Sequence, residues 1–220
     1  VESDSESFAV GLSVKDGSNR WKIARPKQSN WTSPVALGTD VALLSGAGLS
    51  VVEASSGREQ WSFGGGSSMS SVTLADGMLY VPAKGTTVLR PAAAGKDAEV
   101  VWQNNQALCS TVSPLVHLGR LYTVNNAGIL KCSEAKDGEK VWQLRTTGPY
   151  SASPVAAGNY LYMVNEKGLV QIIDTTAPEG AVASSLDLQD TFIGTPSLGE
   201  KALYLRSDKY LYRIGGARAN

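Results

Sequence analysis

Residues 113–144 read SPLVHLGRLYTVNNAGILKCSEAKDGEKVWQL, and the fold is read from this stretch. Ser113 to Leu118 is a short apolar run that Gly119-Arg120 breaks. Leu121 to Val124 is a second run, rich in β-formers. Asn125-Asn126-Ala127-Gly128 suits a hairpin turn, because Asn and Gly accept positive φ. Ile129 to Ser133 is a third strand, Lys136-Asp137-Gly138 another tight turn, and Glu139 to Leu144 a fourth strand carrying Trp142. No sustained period near 3.6 residues occurs anywhere, so almost no helix is expected.

The stretch repeats. Trp21, Trp61, Trp102 and Trp142 follow one another at spacings of 40, 41 and 40. A second mark comes 11 to 13 residues after each: Ser33-Pro34, Ser71-Val72, Ser113-Pro114 and Ser153-Pro154, with a fifth copy at Thr195-Pro196. A third mark is an apolar-Tyr pair at Leu79-Tyr80, Leu121-Tyr122, Leu161-Tyr162 and Leu203-Tyr204, which the first copy replaces with Leu43-Leu44. A period of about 40 residues with four short antiparallel strands is the grammar of a β-propeller blade. The expected fold is therefore all-β, a propeller of four-stranded blades.

The turn before each tryptophan is the most specific feature. It contains Gly17 ahead of Trp21, Gly57 ahead of Trp61, and Glu134-Ala135-Lys136-Asp137-Gly138 ahead of Trp142. The glycine closes a hairpin that residues with a Cβ resist. The flat indole suits a slot between neighbouring blades, its N–H on a backbone carbonyl. Trp21, Trp61, Trp102, Trp142, Gly17, Gly57 and Gly138 are thus read as docking residues. From about residue 8 to 214, the chain resembles the pyrroloquinoline-quinone-type repeat family, and within it the outer-membrane-assembly lipoprotein branch. Two copies depart from the pattern. Pro91 to Lys96 replaces one Asp-Gly turn, and Thr175 to Gly180 carries an insertion after which Leu186 is expected in the tryptophan's place. Weaker docking is expected at both.

Strand counting gives an expected layout. Residues 1–7 are a disordered acidic start, 8–24 a partial blade, and 33–63, 71–103, 113–144 and 153–188 full blades. Residues 195–213 are a partial blade and 215–220 a tail. About five blades are present, and a larger ring with its other blades upstream or on another chain is favoured over closure of five.

Composition narrows the function. Lys+Arg and Asp+Glu are 20 each, so the formal charge cancels. The steering field for nucleic acid or an anionic membrane surface is missing. There is no apolar run of 18 residues, hence no transmembrane helix. The single histidine, His117, cannot build a triad or a zinc site with Cys109 and Cys132 at such spacing. The family's quinone-dependent dehydrogenases imply a bound ion, a carboxylate base and a pair of adjacent cysteines over the cofactor. Here the cysteines stand apart and the acids fall in outer turns, so no catalytic residue, no metal and no cofactor is expected.

Loops joining the fourth strand of one blade to the first of the next should converge on one rim. They carry Asn30, Trp31, Met69, Asn104, Asn105, Arg145, Tyr150 and Phe192. Aromatic side chains with nearby Asn and Arg suit a binding surface, although these rings could equally pack on neighbouring loops. The expectation is a non-catalytic interaction or scaffolding propeller, periplasmic or secreted, whose partner is a protein or the missing blades. The alternatives are a quinone-dependent oxidoreductase fragment and an extracellular ligand-binding sensor.

Overall fold

The computed structural model describes residues 5–215. Of the expected disordered start, residues 1–4 lie outside the described ones, as does the expected tail from residue 216. Ser7 is buried, and its carbonyl accepts from Arg25 N–H at 2.9 Å. Every regular element among the described residues is a strand.

The chain divides into two compact units, residues 1–106 and 107–220. The first holds a hairpin, β1 (Phe8–Leu12) with β2 (Asn19–Ala24), and two four-stranded sheets. One runs β3 (Val35–Leu37), β4 (Asp40–Ser45), β5 (Gly48–Glu53), β6 (Glu59–Gly64). The other runs β7 (Thr73–Ala75), β8 (Met78–Val81), β9 (Thr86–Arg90), β10 (Glu99–Asn104). The second unit holds β11 (Leu115–His117), β12 (Arg120–Val124), β13 (Ile129–Glu134), β14 (Lys140–Arg145) as one sheet. Its next sheet is β15 (Val155–Ala157), β16 (Tyr160–Val164), β17 (Leu169–Asp174), β18 (Ala181–Asp187). A three-stranded sheet follows, β19 (Ser197–Gly199), β20 (Ala202–Arg206), β21 (Leu211–Gly215). All sheets are antiparallel with strands in chain order.

The middle strands of the four-stranded sheets are largely apolar because both of their faces are mostly buried, Lys131, Ser133 and Gln171 among the exceptions in residue type. Successive side chains alternate between faces. Tyr122, Val124, Leu130, Cys132 and Trp142 point forward onto Leu161, Met163 and Ile173 of the next sheet. Tyr162 and Val164 of that next sheet sit on its other face, toward β19–β21. In the first unit Leu44, Val51 and Trp61 meet Leu79, Val81 and Leu89 in the same way.

Each third–fourth strand pair carries a bulge close to the tryptophan position: Gly11/Leu12, Val51/Val52, Val100/Trp102, Cys132/Ser133 and Ile172/Ile173. A bulge re-aims the side chain beside it. The Trp21 indole comes to rest on the next sheet, its Nε1–H donating to Ala54 O at 2.9 Å. Gly57, at φ 73°, leaves the room: a Cβ there would lie 2.7 Å from that indole. The insertion at 175–180 keeps such a seat, because a Cβ on Gly180 would lie 2.9 Å from the Trp142 ring. Gly17 and Gly138 have the same φ of 74° in their turns. The tyrosine of the third mark packs on the tryptophan of its own sheet, Tyr80–Trp102 at 6.2 Å and Tyr122–Trp142 at 5.9 Å between ring centroids.

Register corrects two expectations. Trp61 lies opposite Val51 and Trp142 opposite Cys132, whereas the residue opposite Ile172 is Ser184. Ser184 therefore takes the tryptophan's place, not Leu186, which is 46% exposed. The insertion displaced the count by sequence but not the pairing. Likewise Leu74↔Leu79 and Ala36↔Val41 are equivalent pairs, so the first copy's version of the apolar-Tyr mark is Val41-Ala42, not Leu43-Leu44.

The Ser/Thr mark ties sheet to sheet. Ser33 N–H donates to Ser71 Oγ at 2.8 Å in the first unit. In the second, Ser113 N–H donates to Ser153 Oγ at 2.9 Å and Ser153 N–H to Thr195 Oγ1 at 3.1 Å. First strands of neighbouring sheets touch there, β3 with β7 and β15 with β19, so the first strand is the innermost.

Candidate interaction rim

The loops leading into the first strands meet the turns between second and third strands at one end of the sheets. Asn126 N–H donates to Ser110 Oγ at 3.0 Å, Glu166 N–H to Pro149 O at 2.9 Å, and Phe192 N–H to Glu166 O at 3.3 Å. The Asx turns at Asn125 and Asn165 are alike. Each side-chain oxygen accepts from the N–H groups two and four residues on, at 2.9–3.0 Å.

These loops run extended, so side chains alternate along them. One residue before the Ser/Thr mark the chain points inward: Ser70, Val112 and Ala152 are buried. Two residues before it the chain points outward. Trp31 is 67%, Met69 42% and Ile193 64% exposed at this position. Three residues before, it points inward again at Tyr150 and Phe192, which are 4% and 0% exposed. The two rings are thus core side chains and not rim contacts. Tyr150 OH donates to Gln171 Oε1 at 3.0 Å, and burial raises its phenol pKa. Phe192 packs on Tyr212 at 5.6 Å. Ile193 was missed by sequence. Its signal was available in the spacing to Thr195, which matches that of Trp31 to Ser33.

Trp31 and Met69 are brought together in the first unit. Trp31 N–H donates to Ser68 O at 2.8 Å, tying one loop to the residue next to Met69. Ser67 Oγ accepts from the N–H groups of Met69 and Ser70, both at 3.1 Å, which holds the second loop. Asn30 points away from solvent: its Nδ2 donates to Thr32 Oγ1 at 2.8 Å and Leu44 O at 3.0 Å. Its role is to pin the loop beneath Trp31. Asn104 and Asn105 serve their own turn, accepting from Gln106 N–H at 2.9 Å and Gln103 Nε2 at 2.6 Å. Arg145 is exposed in the second unit and donates to Ala127 O at 3.3 Å.

The reactive groups are held quiet. Burial pushes the Cys132 thiol up to about 11 and the Tyr122 phenol up to about 12. A thiol so placed is a poor nucleophile near neutrality. His117 Nε2 lies 2.7 Å from Gly158 O. Among the described residues no three His, Cys, Asp or Glu side chains gather as a metal-binding group. The residues present do not fit a quinone site with a bound cation and overlying cysteine pair, for Cys109 and Cys132 are not adjacent in the chain.

The family model described as outer membrane protein assembly factor BamB matches residues 6–216. The chain belongs to that family. Among solved structures it is similar to BamB from Moraxella catarrhalis, with a TM-score of 0.76 at 17% identity, covering 100% of this chain and 69% of that one. It is also similar to the quinohemoprotein alcohol dehydrogenase ADHIIG from Pseudomonas putida HK5, with a TM-score of 0.64 at 12% identity, over 84% of this chain and 40% of that chain. The quinohemoprotein alcohol dehydrogenase from Comamonas testosteroni gives a TM-score of 0.62 at 12% identity, over 84% and 41%. The fold shared with these structures is the β-propeller. No curated protein matches the sequence.

Proposed function

We propose that this chain is a non-catalytic protein-interaction propeller of the bacterial cell envelope, serving outer-membrane protein assembly, with Trp31 and Met69 as its docking contacts. The observation that carries the reading is the exposure of two large apolar side chains on adjoining, hydrogen-bonded loops of one unit. A protein that needs those side chains only for its own core buries them, and an exposed Trp–Met pair on a rigid loop frame suits a partner. Membership of the BamB family supports the assembly role and a place in the periplasm. No helix of the described residues is long and apolar enough to cross a membrane. A formal charge of zero supports a protein partner over nucleic acid.

The test is co-purification with an outer-membrane barrel protein. Trp31→Ala combined with Met69→Ser should weaken capture by about tenfold or more, since buried aromatic anchors contribute about 2 kcal/mol or more each. Melting temperatures should stay put, because neither side chain is in the core. Undiminished capture by the double variant would remove the rim from the interaction.

A further inference from the structure

The tryptophan seat is filled in β3–β6 and β11–β14 but holds Ser184 in β15–β18. Two parts of the seat are kept, while the counterpart of the Gly57 and Gly180 turns would follow β21 and lies outside the described residues. The bulge at Ile172/Ile173 is retained, and Tyr162 stands where Tyr122 meets Trp142 at 5.9 Å. The apolar clusters ahead of β3–β6 and β11–β14 include Trp61 and Trp142, whereas the one between β15–β18 and β19–β21 has no indole. In its stead lies a cavity of about 420 Å³. Tyr162, Ile172 and Leu186 wall it on one side, Leu203 and Ile214 on the other. Its volume is in the range of small-ligand pockets, roughly 300–1,000 Å³. Ser184, Ser185, Glu200 and Lys201 also border it and are exposed, so the pocket is apolar between the sheets and polar where it opens to solvent.

We infer that this cavity is a binding site for the indole ring of a tryptophan side chain presented by a partner polypeptide. The occupant is read from the chain itself, which puts an indole at the matching register in the four other third–fourth strand pairs, at Trp21, Trp61, Trp102 and Trp142. A flat ring enters between two sheets without spreading them. The Tyr162 ring offers the tilted ring contact that Tyr122 gives Trp142, and Ser184 and Ser185, which also line the pocket, bring polar groups to its edge. The site lies wholly in the second unit, so it stands or falls apart from Trp31 and Met69.

N-acetyl-tryptophanamide is the probe, titrated into the full chain with methyl groups observed by NMR. Saturable shifts confined to Ile172, Leu186, Leu203 and Ile214 are expected. Ser184→Trp should abolish them and raise the melting temperature by supplying the chain's own indole. Ser184→Leu, a smaller filling, should weaken binding by about tenfold, a loss of about 1.4 kcal/mol, and keeps the test decisive if the Trp variant folds poorly. No saturable shift in the unaltered chain, or equal shifts in the Leu variant, would overturn the assignment. So would binding that appears only after residues 216–220 are deleted, since the chain's own end would then be the occupant.

Discussion

Trp21 and Trp61 stand at one position of successive repeats, yet their indole nitrogens fare differently. Trp21 Nε1–H has Ala54 O at 2.9 Å. Trp61 is 4% exposed and its Nε1 is buried with no hydrogen-bond partner. The turn after β9, Pro91–Lys96, is the one the sequence marks as irregular, and there Gly95 N–H bonds back to Gln60 O at 2.8 Å. An unmet buried donor costs about 1–3 kcal/mol, whereas a formed bond contributes about 1 kcal/mol net. Trp21→Phe should therefore lower stability by about 1 kcal/mol through its lost bond, whereas Trp61→Phe loses no bond and should cost less, the relief of its unmet donor offsetting the smaller ring left in the core. Urea unfolding of the two variants checks this, and equal losses would show that the Trp61 nitrogen finds a partner after all. The irregular turn was legible in the sequence. The orphaned donor was not, because it depends on where a carbonyl of the next sheet lands.

At the scale of elements, the Ser/Thr mark was legible as a repeat but its work was not. The acceptor for each N–H lies 38 to 42 residues along the chain. Ser153 is a two-way link, accepting from Ser113 and donating to Thr195. Thr195→Val keeps the shape of the side chain and removes the acceptor. It should cost about 1 kcal/mol at this partly exposed site and speed exchange of the Ser153 amide by about fivefold. Amide exchange unchanged at Ser153 would mean that the clasp contributes nothing. The rim loops teach the same lesson in reverse. Their extended run made side-chain direction readable from the distance to the mark, and counting from Thr195 separates buried Phe192 from exposed Ile193.

Across the whole molecule, acid should act through a few carboxylates held below their ordinary range. The Ser207 hydroxyl, with the Thr191 N–H and the Lys209 ammonium, lowers Asp190. Ser18 lowers Asp16, and Thr176 lowers Asp174, through hydroxyl and backbone hydrogen bonds. Each is depressed on folding, so the stability it contributes is complete above the unfolded-state pKa of about 3.9 and is lost as pH falls through the lower folded value. Melting temperature followed from about pH 7 to about pH 2 should hold and then fall below about pH 4. Asp190→Asn should lower the plateau and flatten the fall. A fall of the same steepness in that variant would place the acid sensitivity elsewhere. Asp190 also accepts from Tyr212 OH at 3.4 Å and pairs with Lys209 at 3.8 Å, so its protonation should loosen β19–β21 before the other sheets.

The sequence by itself determined the strands, their order within each sheet and the propeller, because alternation, turn chemistry and a tryptophan every 40 or so residues are local signals that repeat in phase. Only the tertiary structure decided that Ser184 sits in a tryptophan's place, that Tyr150 and Phe192 are core, and that a cavity lies ahead of β15–β18. Those facts depend on bulge register and on which face meets the next sheet, and packing between distant segments sets both.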